Sequence, residues 1–462
     1  MNIAIIGAGI SGVSLAFYLN EYRKSGKDIN ITVFEAADVA GGCIRSVSQD
    51  GYLVESGPNG VLTSKSHFTE LFAAAGLGDM LERSSELTHR RYIQLHGKLN
   101  LAPAGPIAAL TTPLLPFGSK LRVLKEPFIH ANTATADESV YDFAKRRLGK
   151  GMADNLISTL IGGIYAGDAK KLSLKSAFPW MYKLEKDYGG LFKGMIGRMK
   201  ALKAEREKSG EPRKRREPSR LISSATGMQG LVSALAEKCD GVSFRYNCPV
   251  SKLEKSGEQY ILHTKDGEFH ADKVISCCNA HDSASLFASL DDELSKAFAQ
   301  VQFAPIFICG MGFDKSAVGH PLDGFGYLVA PAENSSTLGT LFSSALYHGR
   351  APEGKALVTS ITVGDRGTNR ELIKEDDATL TRRAYEAAKS VLQLKAEPET
   401  CLTFRTEHAI PQYYLGHEAI VSTIEARATA LGGLYIGGNT TSGISVADCV
   451  LRSKAVAEAL VL

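Results

Sequence analysis

The sequence predicts an α/β protein built around a Rossmann-like dinucleotide-binding domain. Three observations predict it. Residues 1–60 read as strand, glycine turn, helix and strand. Short strands return within 242–280, where 260–264 and 268–275 flank a hairpin turn at Asp266 and Gly267. A strand, a glycine cluster and a helix close the chain after residue 433. Strands that alternate with helices form mostly parallel sheets, which bind ligands beyond the carboxyl ends of their strands. The 462 residues suffice for two or three domains.

Composition limits the classes of function. The net charge is only +3, so no nucleic-acid partner is expected. None of the eight cysteines stands in a C-x-x-C pair, and the chain is too long to need a disulfide scaffold, so a reducing, cytoplasmic compartment is expected. We predict no secretory signal, no membrane-spanning segment and no metal site.

The first glycine motif lies between two predicted strands, residues 3–6 and 31–34, and a helix over 13–23 follows it. The motif is G-x-G-x-x-G and consists of Gly7, Ala8, Gly9, Ile10, Ser11 and Gly12. Its glycines allow a tight turn and close approach of a pyrophosphate, and the helix N-terminus favours the phosphate charge. Glu35 follows the second strand and is the candidate partner of a ribose hydroxyl. A βαβ unit without a ligand is the alternative.

A second glycine element, which a domain that binds only NAD does not need, follows at 41–60. Gly42, Cys43 and Arg45 come first, and Gly57, Pro58, Asn59 and Gly60 follow a short strand. The spacing resembles the extended fingerprint of two-dinucleotide-binding-domain flavoproteins. Arg45 is the candidate cation for the pyrophosphate, and the turn at Gly57 is expected under the isoalloxazine. Two ordinary loops are the alternative.

A third glycine element opens the last predicted helix, which spans residues 446–460. Asn439 follows a glycine pair, and Ile444, Ser445 and Val446 follow Gly443. A glycine turn that begins a helix brings free N–H groups and a positive dipole end to the flavin pyrimidine edge. Three separate segments thus suit one elongated cofactor, and we predict non-covalent FAD.

The middle of the chain has a different composition. Residues 99–127 are apolar and rich in proline, and a helix is expected over 139–156. The uncharged stretch 101–118 is too broken by proline to span a membrane, so it predicts either peripheral membrane attachment or a wall of the substrate tunnel. Residues 198–220 hold ten Lys/Arg against four Asp/Glu, which indicates a solvated loop or, alternatively, a surface for membranes or anionic substrates.

These motifs closely resemble the oxygen-dependent protoporphyrinogen oxidases of haem synthesis. The resemblance runs over essentially the whole chain. The matching stretches are 55–59, 90–93, 163–168 with 172–173, 324–328, 350–354, 411–413 with 416–417, and 443–449. The runs 163–173 and 350–354 are far more specific to the family than the first glycine motif.

The resemblance implies three domains and a set of site residues. The FAD-binding domain, similar in fold to p-hydroxybenzoate hydroxylase, would comprise 1–85, 221–298 and 411–462. A mixed-sheet substrate domain would comprise 86–97 and 299–410, and a helical membrane-contacting domain 98–220. Beyond the three glycine elements, the FAD contacts would include Val250. Arg91 matches the family's arginine for a substrate propionate, the backbone carbonyl of Gly163 its acceptor for the tetrapyrrole nitrogens, and Leu328 an apolar residue against a pyrrole ring.

The implied reaction is the oxidation of protoporphyrinogen IX to protoporphyrin IX in three two-electron steps, with O2 as acceptor and H2O2 as product. Arg91 favours this substrate over coproporphyrinogen III, which stays an alternative. An amine oxidase or desaturase on the same scaffold is a further alternative, although no aromatic residue lies within 437–446. A non-oxidising FAD-fold protein, either a mutase or a binding module, is the last. The resemblance also implies peripheral contact with the cytoplasmic face of a membrane and leaves a homodimer open.

Overall fold

The computed structural model describes residues 1–132, 136–209 and 219–461. The predicted dinucleotide-binding sheet is present and has five strands, all parallel to their neighbours. In spatial order the strands are Ser243–Arg245, Asn30–Phe34, Asn2–Ile6, Lys273–Ser276 and Leu434–Ile436. Helices Ile10–Lys24 and Val446–Val461 pack against each other on one face, where their apolar residues share one core. The strands and helices predicted around the first and third glycine elements are therefore confirmed.

A second, mixed sheet of seven strands lies beside it. In spatial order its strands are Thr400–Gln412, Gln302–Asp314, Lys355–Val363, Thr337–Leu341, Gly326–Val329, Arg91–Leu95 and Lys98–Leu101. The pairing of Arg91–Leu95 with Gly326–Val329 is parallel, and the other pairings are antiparallel. Helix Asp377–Leu392 packs its apolar face on this sheet. This sheet carries two of the predicted substrate residues, Arg91 and Leu328.

Smaller elements complete the two sheet regions. The short strands are Ser46–Gln49 with Tyr52–Glu55; Val61–Leu62, Leu221–Ser223 and Glu82–Arg83; and Val250–Ser256, Gln259–Thr264 and Gly267–Ala271. The remaining α-helices outside 98–220 are Ser66–Ala74, Gly227–Glu237, Ala280–Phe287, Asp292–Ala299, Ser343–Leu346 and His417–Leu431. Short 3-10 helices cover Gly78–Met80, Glu86–His89, Lys315–Ala317, Pro331–Glu333 and Asn369–Lys374. The predicted hairpin around Asp266 and Gly267 is confirmed, but its second strand ends at Ala271, and Lys273–Ser276 joins the parallel sheet instead.

Residues 98–220 are mostly helical. The α-helices here are Pro106–Thr111, Phe117–Leu124, Val140–Leu148, Lys150–Met152, Ser158–Tyr165, Leu174–Ala177, Pro179–Tyr188 and Leu191–Ser209. A 3-10 helix covers Glu126–Phe128, and a π-helical turn covers Ala153–Ile157. The single helix expected over 139–156 is interrupted at Gly149, whose φ of +96° is incompatible with a continuous right-handed helix. Within the described ranges, no helix combines the length and the apolar character that crossing a membrane requires.

The basic segment 198–220 departs from the loop interpretation. Residues 198–209 form the second half of helix Leu191–Ser209, and residues 210–218 lie outside the described residues. The helical half is composed almost entirely of Lys, Arg, Glu, Ala, Leu and Met, which all favour the helix. The loop interpretation rested on the excess of basic residues alone and did not consider this helix propensity.

A buried ionic network holds the helical region together. Arg147 and Glu126 are both fully buried and form an ion pair, and Glu185 accepts a further bond from Arg147 at 3.1 Å. Glu126 also accepts the backbone N–H groups of Leu191 and Phe192, at 2.7 and 3.2 Å, and so closes the N-terminus of the longest helix in the region. Because every charge has several partners, the network offsets the cost of removing these ions from water.

Candidate active site

The glycines of the first turn serve two different purposes. A Cβ atom on Gly12 would lie 1.9 Å from the carbonyl oxygen of Gly7, so the fold itself requires glycine at position 12. Gly9 has an ordinary φ of −68°, and a Cβ atom there would meet its nearest neighbour only at 3.8 Å. The protein alone therefore has room for a Cβ atom at Gly9, and the predicted approach of a pyrophosphate supplies a reason for glycine at this position.

The second glycine element packs directly on this turn. Gly41 donates its N–H to the Ala8 carbonyl at 2.9 Å, and a Cβ atom on Gly42 would lie 3.1 Å from the Cα of Gly9. A Cβ atom on Gly57 would lie 2.4 Å from the carbonyl oxygen of Cys43. The first two predicted cofactor segments therefore meet in one cradle at the end of the parallel sheet.

Glu35 lies where the dinucleotide prediction requires it. It follows the strand Asn30–Phe34 and is 9% exposed. Its carboxylate accepts the backbone N–H groups of Ala8, at 2.6 Å, and Ala37, at 2.8 Å. The carboxylate is thus fixed beside the glycine turn, where a ribose hydroxyl would compete for the same oxygens.

The third segment begins the C-terminal helix with a reciprocal cap. The N–H of Asp448 donates to Ser445 Oγ at 3.3 Å, and Ser445 Oγ donates to the Asp448 carboxylate at 2.6 Å. Lys65 bonds to both residues, at 3.0 Å to Ser445 Oγ and 2.5 Å to Asp448. Nearby, the backbone oxygen of Asn439 accepts the Tyr413 hydroxyl, and the side-chain oxygens of Thr440 and Thr441 are buried without a hydrogen-bond partner among the described residues.

The residues present fit FAD. The glycine cradle admits a pyrophosphate, Glu35 is placed for a ribose, and the helix that follows the first turn has no acidic residue and no side-chain cap at its N-terminus. The unpaired threonine oxygens offer hydrogen bonds at the third segment. Arg45 is exposed beside the cradle, while Val250 begins a strand that follows Cys248, whose N–H donates to the Glu35 carbonyl at 2.8 Å.

Two of the predicted substrate residues are in contact. A Cβ atom on Gly163 would lie 2.6 Å from Leu328 Cδ2, so helix Ser158–Tyr165 rests directly on the strand that carries Leu328. The two residues are 165 positions apart in the sequence. On the neighbouring strand, Arg91 pairs with Gly326 and Ile93 with Leu328. Because side chains alternate along a strand, Arg91 and Leu328 point to the same face of the sheet.

Arg91 is exposed and is the first residue of its strand. Its guanidinium lies 5.0 Å from the ring centre of Phe325, and within the described ranges it forms no ion pair with a carboxylate. The adjacent Arg90, in contrast, pairs with Asp323. Arg91 therefore keeps its charge available for an external carboxylate.

Helix Ser158–Tyr165 also presents an apolar wall. Leu160 and Ile164 are 42% and 47% exposed and lie on the same helix face as Gly163. The helix ends at Ala166, in the left-handed conformation, so the carbonyls of its last turn receive no N–H from a following turn. Ile444 of the third cofactor segment packs against the core that contains Ile161 and Tyr165. Tyr165 also packs edge-on against Tyr413, whose hydroxyl donates to the Asn439 carbonyl, so this helix adjoins the third predicted cofactor segment.

Sequence reasoning missed three pairs around the site. Glu55 and Arg350 form a buried ion pair at 3.2 Å, each 3% exposed, although both stand in motifs that the resemblance quotes. His417 stacks on Tyr413 with ring centres 4.2 Å apart. Lys65, which follows the second cofactor segment, forms an ion pair with Asp448, which follows the third. No spacing rule joins Glu55 with Arg350 or Lys65 with Asp448, which are far apart in the sequence. Tyr413 and His417 are only four residues apart, and both stand in a motif that the resemblance quotes.

Comparison with known proteins agrees with this architecture. The family profile described as flavin-containing amine oxidoreductase matches residues 10–461. The chain is 31% identical to the mitochondrial protoporphyrinogen oxidase of Nicotiana tabacum, with 96% of this chain and 91% of the relative covered. It is 29% identical to the coproporphyrinogen III oxidase of Bacillus subtilis, over 99% and 98%. The crystal structure of a protein from Exiguobacterium sp. 255-15, provisionally assigned as a protoporphyrinogen oxidase, superposes with a TM-score of 0.82 at 23% identity, over 99% and 98%.

The fold and the site thus define a flavin-dependent oxidoreductase that binds FAD. The chain belongs to the flavin-containing amine oxidoreductase family. Among its relatives are oxidases of both protoporphyrinogen and coproporphyrinogen, at nearly equal identity. The resemblance drawn from the motifs is confirmed, and the choice between these two substrates is not made by the comparison.

Proposed function

We propose that this chain is a porphyrinogen oxidase that converts protoporphyrinogen IX into protoporphyrin IX in three two-electron steps, with O2 as the acceptor and H2O2 as the product. The contact between Gly163 and Leu328, beside the flavin segment and on the sheet face that also bears Arg91, carries the proposal. A largely apolar tetrapyrrole ring with carboxylates on one edge needs an apolar slot with a cation at its mouth.

The roles of the residues follow from their positions. When bound, FAD supplies the acceptor for a hydride from the reduced ring. The carbonyl of Gly163 would accept a pyrrole N–H and orient the ring, and Leu328 would press on one pyrrole. Leu160 and Ile164 exclude water from the ring face, and Arg91 pairs with a propionate. The protein then contributes position and a dry surface rather than an acid–base pair.

Product analysis tests the substrate. Purified protein is supplied with protoporphyrinogen IX and coproporphyrinogen III in parallel under air, and the porphyrins and H2O2 are quantified. We expect protoporphyrin IX to form with the higher kcat/KM and with three H2O2 for each porphyrin. A higher kcat/KM for coproporphyrinogen III would identify that compound as the substrate of the same class of oxidase. Absence of turnover with both compounds would contradict the proposed function.

We also propose that the FAD is held without a covalent bond. Cys449 is the cysteine nearest the third segment in sequence, but it lies inside the last helix and is 6% exposed. Burial raises the pKa of its thiol to about 11, so the reactive thiolate is scarce at neutral pH. Acid precipitation should therefore release all of the flavin; yellow colour retained in the pellet would contradict this.

We further propose an FAD domain of 1–85, 221–298 and 411–462, a substrate domain of 86–97 and 299–410, and a helical domain of 98–220 that attaches to a membrane surface. The first residues of the last range, Lys98–Leu101, pair instead with the mixed sheet. Exposed apolar side chains support the attachment: Phe117 and Phe128 are 75% and 82% exposed, and Trp180 and Met199 are 51% and 61% exposed. Basic residues lie between them, Lys120 and Lys125 among others. Such a surface suits anionic lipid headgroups. The buried Leu114 and Leu115 instead pack into the helical core.

Co-sedimentation with liposomes tests the attachment. We expect the protein to bind vesicles that contain anionic lipid at low salt, and we expect the double variant Phe117→Ser with Phe128→Ser to lose most of that binding. Leu87→Ser, which changes an apolar residue that is 44% exposed outside this region, serves as the matched control. Failure of the unchanged protein to bind would favour the tunnel-wall interpretation.

A further inference from the structure

The N-terminus of the last helix contains an unexpected negative charge. Asp448 lies in the first turn of Val446–Val461, three residues after Ser445. A carboxylate there stabilises the helix because it faces the positive end of the dipole. It also opposes any negative charge that develops nearby, and this helix end is the predicted neighbour of the flavin pyrimidine edge, which gains negative charge on reduction. The Asp448 carboxylate thus stabilises the helix but would destabilise a negatively charged reduced flavin beside it.

The ammonium of Lys65 compensates the charge of the Asp448 carboxylate. This ammonium lies 2.5 Å from the Asp448 carboxylate and 3.0 Å from Ser445 Oγ. Lys65 follows the Gly57–Gly60 turn and directly precedes helix Ser66–Ala74, so it lies just after the second cofactor segment. Among the described residues, Arg452 is the next cation along the last helix, and it is engaged elsewhere, with the Ile436 carbonyl at 2.9 Å and Ser442 Oγ at 3.3 Å.

We infer that Lys65 and Asp448 form a charge-balancing pair that sets the reduction potential of the bound flavin. Lys65 cancels the capping carboxylate, so the helix keeps its cap while the dipole still favours the anionic reduced flavin. Both are positioning residues that act through the electrostatic field at the helix end. The inference rests on the proposed placement of the cofactor, and it does not depend on which porphyrinogen is oxidised.

Opposite single substitutions test the pair. Lys65→Met leaves Asp448 uncompensated, whereas Asp448→Asn leaves the ammonium uncompensated. The readouts are the midpoint potential of the purified holoprotein and the dissociation constant of sulfite, which adds to oxidised flavin and leaves negative charge on it. We expect Lys65→Met to weaken sulfite binding about tenfold and lower the potential by about 30 mV, the equivalent for a two-electron couple. Asp448→Asn should shift both quantities in the opposite direction.

Three further variants separate charge from structure. Lys65→Arg should keep the sulfite affinity and the potential of the unsubstituted protein. The double variant Lys65→Met with Asp448→Asn should return to within about threefold of its sulfite dissociation constant and about 15 mV of its potential. Lys27→Met is the matched control, because Lys27 Nζ donates to the Val461 carbonyl at 3.0 Å, at the other end of the same helix. It should leave the potential unchanged.

The outcomes are distinguishable from failure of the proposed function. The inference is overturned if Lys65→Met and Asp448→Asn leave the sulfite affinity and the potential unchanged, or if the two variants shift these quantities in the same direction. This holds even if the unsubstituted protein oxidises porphyrinogens. A protein that binds FAD and shows the opposed shifts, yet oxidises no porphyrinogen, upholds the pair and contradicts the substrate. If Lys65→Met retains no FAD, the shift of Asp448→Asn alone decides.

Discussion

At the scale of single residues, Gly9 and Gly12 can be separated by experiment. Gly12 has no space for a Cβ atom, whereas Gly9 does. Gly9→Val should therefore leave a folded chain that binds no FAD, because its side chain occupies the path of the pyrophosphate. Gly12→Val should disturb the fold itself. Circular dichroism and the flavin absorbance of the purified variants measure the two effects. A Gly9→Val protein with stoichiometric FAD would remove this turn from the cofactor site.

Arg91 provides the residue-level test of the substrate site. Arg91→Ala should raise KM about ten- to a hundredfold and leave FAD binding intact, since the loss of one charged hydrogen bond costs about 1.5–3 kcal/mol. Arg90→Ala is the neighbouring control, because Arg90 is already paired with Asp323; it should change KM far less. Steady-state kinetics on both porphyrinogens measure this. Equal effects of the two substitutions would argue that Arg91 is only a surface charge.

His417 predicts a pH dependence of stability. Burial of the ring lowers its pKa to about 4 from an ordinary 6.5, and neither ring nitrogen has a hydrogen-bond partner among the described residues. The unfolded chain therefore takes up a proton between pH 6.5 and 4 that the folded chain does not. His417 thus contributes stability that is complete above pH 6.5 and is lost as the pH falls towards 4, by about 3 kcal/mol.

The substitution His417→Phe keeps the stacking on Tyr413 and removes the titrating group. Urea unfolding at pH 4.5 and pH 7 should show a smaller loss of stability in this variant than in the unchanged protein. The same pH slope in both proteins would show that other groups cause the acid sensitivity.

At the scale of elements, the helical region depends on a buried charge. Glu126 binds Arg147 and the first two N–H groups of helix Leu191–Ser209. Glu126→Gln removes the charge that compensates Arg147, and we expect a loss of about 3–5 kcal/mol in the free energy of unfolding. Asp292→Asn, which breaks an exposed ion pair, should cost about 1 kcal/mol or less. Comparable losses in the two variants, measured by urea unfolding, would contradict the structural role of Glu126.

The same scale shows where sequence patterns succeed. Four elements could be predicted from local signals, namely the periodicity of apolar residues, the glycine turns and the short apolar runs. These elements are the first strand, the first helix, the hairpin at Gly267 and the last helix. Local composition misled at two places. The helix expected over 139–156 breaks at Gly149, and the basic run from residue 198 is helical as far as Ser209. In both cases a backbone preference outweighed the pattern of charge and apolarity.

At the scale of the whole molecule, the limits of sequence reasoning are the long-range contacts. The glycine motifs give the cofactor segments, but not the contact of Gly163 with Leu328 or the ion pair of Glu55 with Arg350. These contacts come from packing between elements far apart in the sequence: helix Ser158–Tyr165 rests on strand Gly326–Val329, and Arg350 lies against strand Tyr52–Glu55. No spacing in the sequence encodes such packing. The resemblance supplied Gly163 and Leu328 as site residues, and the structure shows the two in direct contact.

The central claim is that a porphyrinogen delivers electrons to FAD in this protein. The most direct measurement is an anaerobic titration of the holoprotein with protoporphyrinogen IX, followed by the flavin absorbance near 450 nm, which is about where oxidised flavins absorb. We predict that the absorbance is bleached by less than one equivalent of substrate, that porphyrin appears in step, and that admission of O2 restores the oxidised spectrum. A flavin that stays oxidised in the presence of both protoporphyrinogen IX and coproporphyrinogen III would contradict the account.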